Sequence, residues 1–129
     1  MERFENSGTI HKIPAPGLVE LIESGRADSP ETDALLARLF APYENLDALV
    51  LGCTHYPFIA RNIASIMGEQ TRLLHGGLGT ARETKRRLEK ADLLRTGTGS
   101  VTILNSGADP RKLRLAQALL EGDPISFED

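Results

Sequence analysis

The chain has 129 residues, of which 40% are hydrophobic and 26% charged, with a net charge of -3; this suits one modest folded domain or part of a larger protein, and excludes collagen-like, disordered and membrane-embedded classes. Aromatics make up 5%, Trp is absent and the balance is acidic, so the clustered basic and aromatic residues of a nucleic-acid surface are missing. No apolar run approaches the roughly 18 residues of a membrane span, and the acidic, polar start "MERFENSGTIHK" lacks the regions of a signal peptide; the expectation is a cytoplasmic protein with no membrane or nucleic-acid partner.

In chain order, "TIHKIP" reads as a short strand, and Pro14 and Pro16 keep any helix from forming before "GLVELIESG". There Leu18, Leu21 and Ile22 share one helical face, the helix ends near Glu23, and Gly25 is placed to cap it. "ADSPETDALLARLFAPYEN" opens with Asp28 or Ser29 as N-cap and Pro30 at the first helical position, then repeats Leu35, Leu36, Leu39 and Phe40. "LDALVLG" is a continuous apolar run, as in a strand covered on both faces. "PFIARNIASIMG" is a helix with Phe58, Ile59, Ile63, Ile66 and Met67 along its apolar stripe. The strand "TRLLH", the turn "GGLG", the helix "TARETKRRLEKADLL", the strand "VTILN" and the helix "RKLRLAQALLEG" complete the chain. Strands and helices alternate over short connections, so the fold class is α/β, three-layered with a mostly parallel sheet. In "ARETKRRLEK" the positive charges interleave with Glu83 and Glu89 at helical spacing, the pattern of a solvated helix face.

Cys53 is the only cysteine, so the chain forms no internal disulfide and its thiol is either structural or chemical. It ends the apolar strand and precedes a helix, where ligands collect in open α/β sheets. The positive end of the following helix favours a thiolate, and His55 can supply a proton within the same turn. The competing reading is a small buried hydrophobe closing the strand. Cys53, His55, His11 and His75 lack C-x-x-C or H-x-x-x-H spacing, so no metal site is expected. "HGGLGT" matches neither G-x-G-x-x-G nor the P-loop, and Gly76, Gly77 and Gly79 read as a tight strand-to-helix turn.

The string "GCTHYP" within "LVLGCTHYPF" resembles the second cysteine motif of the glutamate racemases, within the aspartate/glutamate racemase superfamily. "PAPGLVELIESG", "LLHGGLGTARETKRRLEK" and "VTILNSGADPRKLRLAQALL" resemble further family segments in the same order, so the likeness runs from about residue 13 to 120. It implies the C-terminal half of a two-domain fold. Residues 1–96 would be part of the second racemase domain, and residues 97–129 a strand and helix that pack back on the first.

The resemblance also implies interconversion of L- and D-glutamate without pyridoxal phosphate, metal or other cofactor. Two thiols on opposite faces of the α-carbon exchange the roles of base and acid, and D-glutamate feeds peptidoglycan synthesis. By position Cys53 would be the second thiol, Thr54 and His55 would hold glutamate, and His55 and Glu23 would assist the thiol. For Glu23 a capping or solvent-facing carboxylate is the competing reading, and for Thr54 a hydroxyl serving the turn's own backbone.

The first cysteine motif has no counterpart in these residues, and His75 stands where the family has an aspartate. A single thiol serves one face of a substrate, so the first-face acid must come from an N-terminal half or from a homodimer. The alternatives are an inactive remnant acting as a partner-binding half-domain, and a racemase for aspartate or another acidic amino acid.

Overall fold

A computed structural model describes residues 8–107 and 109–121. Along them run α1 (Leu18–Glu23), α2 (Pro30–Phe40), β1 (Ala48–Val50), a 3-10 turn (Tyr56–Ile59), α3 (Ala60–Met67), β2 (Arg72–Leu74), α4 (Gly77–Lys90) and α5 (Pro110–Glu121).

The short α1 is closed by backbone alone. The Gly25 N–H donates to the Ile22 carbonyl (3.0 Å) and the Arg26 N–H to the Leu21 carbonyl (2.9 Å), with Gly25 at φ 76°. This paired closure needs a left-handed residue just past the helix, which glycine adopts without steric cost. It holds Glu23, the last residue of α1, in a set orientation. At α2, Ser29 is the N-cap, accepting from the Thr32 N–H (3.3 Å), and Pro30 stands in the first turn. Thr32 is fully buried and donates its hydroxyl to the Arg26 carbonyl (2.7 Å), tying α2 to the closing turn of α1.

The core sits where α1, α2, the 3-10 turn and α3 meet. Leu18, Ile22, Leu36, Leu51, Ile59, Ala60, Ile63 and Met67 form it, with Leu49 and Leu73 packed at its margin. The sheet has β1 and β2 in parallel, with Ala48 opposite Arg72, Leu49 opposite Leu73 and Val50 opposite Leu74. Side chains alternate across a strand, so Leu49 and Leu73 face the core while Val50 and Leu74 lie on the other face, 69% and 42% exposed.

The α/β class and the parallel pairing hold. Three expectations are corrected. "TIHKIP" is not a strand: residues 9–14 pair with nothing among the described residues, and Pro14 has no N–H to offer a ladder. "VTILN" is unpaired too, with Val101 73% and Leu104 87% exposed; an apolar β-run makes a strand only when a neighbouring strand takes its hydrogen bonds. The strand-to-helix turn at "GGLG" is shorter than expected: Gly76 has φ -79° and α4 already begins at Gly77, so Gly77 and Gly79 lie in the helix. His75 Nδ1 accepts the Gly77 N–H (3.1 Å), satisfying a donor that the first helical turn leaves open. A Cβ on Gly77 would lie 2.7 Å from the His75 ring, so the histidine at this turn requires glycine two residues on.

α4 shows the charge pattern read from the sequence. Glu83 accepts from Arg86 Nε (2.7 Å) and Arg87 Nε (2.8 Å), and the two guanidinium groups hold its carboxyl down to about 2. α5 reaches the margin of the core through Leu119. Among the described residues no helix is long and apolar enough to cross a membrane.

Candidate active site: Cys53, His55 and Glu23

β1 leads into buried Leu51, and the chain leaves the sheet at Gly52. Cys53, Thr54 and His55 form the turn that follows, closed by the Tyr56 N–H donating to the Cys53 carbonyl (3.3 Å) and the Phe58 N–H to the His55 carbonyl (3.1 Å). Two elements distant in sequence meet here, because α1 packs against the 3-10 turn through the shared core.

Cys53 Sγ lies 3.6 Å from His55 Nδ1, and His55 Nε2 lies 3.0 Å from Glu23 Oε1. The carboxylate accepts a hydrogen bond from Nε2–H, which leaves Nδ1 of the neutral ring to accept a proton from the thiol. The structure thus brings Cys53, His55 and Glu23 into one line. Cys53 is half-buried, His55 31% exposed and Glu23 64% exposed, so the relay is open to solvent at its carboxylate end. Thr54 shares the turn but is exposed and stands outside this line.

The electrostatics favour a charge-separated pair. The His55 backbone N–H lowers the Cys53 pKa most; burial opposes it, and the His55 ring lowers it further by hydrogen bonding and charge. The His55 pKa is raised, first by its hydrogen bond to Cys53 and next by that to Glu23, against a smaller effect of burial. Thiolate and imidazolium therefore stabilise each other. Glu23→Gln removes one of the influences that raise the His55 pKa, so the imidazole titration followed by NMR should move to lower pH; an unchanged midpoint would show that the 3.0 Å contact does not persist in solution.

Two neighbours escaped the sequence reading. Tyr56 has its pKa raised, first by burial and then by the negative charges of Cys53 and Glu20, so its phenol stays protonated beside the thiol. Tyr56 stands inside "GCTHYP", and Glu20 sits one turn before Glu23 on α1, a spacing that puts both carboxylates on one side. His75, which stands where the family has an aspartate, serves the start of α4 by accepting from the Gly77 N–H. A cleft of about 490 Å³ along α4, lined by Gly76, Thr80, Glu83 and Arg87, does not include Cys53. Among the described residues no three His, Cys, Asp or Glu side chains are grouped to hold a metal ion.

A thiol with a lowered pKa, in contact with an imidazole that meets a carboxylate, thus stands just past a parallel strand of an α/β fold. No protein-family model matches the chain. It is 42% identical over 125 residues to the glutamate racemase of Clostridium acetobutylicum, covering 94% of this chain and 48% of that enzyme. It is 41% identical over 129 residues to that of Herpetosiphon aurantiacus, covering 92% and 51%, and 35% over 128 residues to that of Pseudomonas aeruginosa, covering 98% and 48%. The chain is a homologue of the bacterial glutamate racemases, and it spans about half the length of the curated relatives it matches.

Proposed function

We propose that this chain is the C-terminal half of a cofactor-independent glutamate racemase, in which Cys53 acts on one face of the glutamate α-carbon. The observation that carries the reading is the line from Cys53 through His55 to Glu23, with separations of 3.6 and 3.0 Å. As thiolate, Cys53 takes the α-proton; as thiol, it returns one. His55 holds the thiolate by its positive charge, and Glu23 orients the ring. Thr54, in the same turn, holds the substrate together with His55. An acid on the opposite face completes inversion and belongs to another polypeptide segment, since Cys53 is the only cysteine among the 129 residues.

In this reading residues 1–96 belong to the second domain of the three-layered racemase fold. Residues 97–129 reach to the first domain, where "VTILN" would find the neighbouring strand it lacks here. The unpaired thiol and the bacterial relatives suit a cytoplasmic enzyme that supplies D-glutamate for cell-wall synthesis.

The test is protection of the thiol. Cys53 should react with iodoacetamide at neutral pH faster than a free cysteine, whose pKa is about 8.5, and millimolar L-glutamate should slow that reaction. Equal rates with and without glutamate would remove the substrate assignment.

A further inference from the structure

Cys53, His55 and Glu23 stand in the order of a nucleophile, its base and the group that orients the base. Sγ is 3.6 Å from His55 Nδ1, and His55 Nε2 is 3.0 Å from Glu23 Oε1, the connectivity that readies a thiol to attack an acyl carbon. The chain path matches. Cys53 lies in the turn between β1 and the 3-10 turn that leads into α3, a strand-to-helix junction that leaves a nucleophile accessible. With Cys53 half-buried and His55 31% exposed, a small molecule can reach the sulfur. Backbone donors lie in the same turn. The Tyr56 N–H serves the Cys53 carbonyl and the Phe58 N–H the His55 carbonyl, while among the described residues no hydrogen bond takes up the N–H of Cys53 or of Thr54. The N–H groups of a nucleophile and of the residue after it are those that meet the negative oxygen of a tetrahedral intermediate in acyl-transfer sites.

We propose that these side chains carry a second activity, transfer of the acyl group of a small thioester to water through an S-acyl Cys53. The Cys53 thiolate attacks the acyl carbon and forms a new carbon–sulfur bond, and negative charge moves onto the carbonyl oxygen beside the N–H groups of Cys53 and Thr54. As the carbonyl reforms, the donor's own carbon–sulfur bond breaks, and the departing thiolate takes the proton of the His55 imidazolium. His55 is then neutral. Its Nδ1 takes a proton from water while the oxygen adds to the acyl carbon, and collapse releases the carboxylic acid and the Cys53 thiolate, with His55 again an imidazolium. Thioester and water are the only reactants consumed. The donor class follows from the leaving group: one thiolate replaces another, whereas an amide would have to expel a far more basic nitrogen. Glu23 accepts from Nε2–H, so Nδ1 is the ring nitrogen left to serve the sulfur and the water. This activity goes beyond racemisation, because it needs one thiol and one face of the reacting carbon.

The experiment mixes the chain, without glutamate, with N,S-diacetylcysteamine at neutral pH. Intact mass spectrometry follows acetyl groups on the protein, and NMR follows free acetate. Acetate should form over many turnovers, faster than in buffer, and Cys53→Ala should abolish the excess. His55→Asn should still be acetylated at Cys53 but should release acetate roughly 10²-fold more slowly or worse, the scale of a general base, so that the acetylated chain accumulates. Glu23→Gln alters a carboxylate that is 64% exposed, so the fold tolerates it; it should slow release about tenfold, the scale of one lost hydrogen bond to a charged group. A single acetylation that never turns over, release undiminished in both His55→Asn and Glu23→Gln, or acetate that arises from acetylation of other side chains would each overturn the proposal. Protection of the thiol by glutamate reports the racemase reading separately, so the two can fail independently.

Discussion

Leu36→Ala should cost about 2–5 kcal/mol, the range for emptying a fully buried leucine site. Leu36 has no exposed surface and joins α2 to the cluster that includes Ile22, Ile59 and Ile63. Neither α4 nor α5 buries a residue, so stability rests on the contacts of α1, α2, the 3-10 turn and α3. A typical domain is stable by only about 5–15 kcal/mol, and one with so narrow a core belongs at the low end. With a urea slope of about 1–3 kcal/mol per molar, the midpoint should fall by roughly 1–2 M. Leu104→Ala, at a residue 87% exposed, should leave the midpoint nearly unchanged. Equal effects of the two substitutions would contradict the location of the core.

The second large effect belongs to Cys53. Together with the other half of a racemase, Cys53→Ala should cut glutamate racemisation by roughly 10³-fold or more, the scale of a directly acting acid or base, without changing the urea midpoint by more than a small amount. The pH dependence follows from the direction of the shifts. Proton abstraction needs the thiolate, so the rate should fall as pH drops through the lowered Cys53 pKa. His55→Asn removes the ring's hydrogen bond and charge but keeps the backbone N–H, which is the largest lowering influence. The profile should therefore move toward alkaline pH only part of the way to a free thiol. A variant that behaved like unperturbed cysteine would mean that the backbone donor contributes nothing.

Local rules carried much of this fold. Gly25 and Ser29 were legible because each closes a helix end by its own backbone or side chain, and the interaction spans a few residues. β1 and the stripe of α3 were legible from apolar runs alone. The strand readings at residues 9–14 and 101–105 failed for a common reason: pairing requires a neighbour, and strand propensity says nothing about whether one is present. The start of α4 was misread because the ring of His75 caps it from two residues away, a local contact that a glycine pair disguises as a turn.

For the site, position alone left Cys53 open between catalysis and burial. Its link to Glu23, 30 residues earlier by subtraction of 23 from 53, was reached through family likeness and not through spacing. The physical link is the packing of α1 against the turn after β1, which brings the carboxylate 3.0 Å from the imidazole. Tyr56 and Glu20 were missed because they meet the site through burial and charge on the Tyr56 phenol, which carry no motif of their own.

The central claim is that Cys53 moves the α-proton of glutamate. Incubating the chain with the complementary racemase half and L-glutamate in heavy water, and following the α-proton by NMR against a Cys53→Ala control, tests it most directly. Deuterium should enter at the α-carbon together with formation of D-glutamate, both lost in the control. Deuterium entry at the same rate without the Cys53 thiol would contradict it.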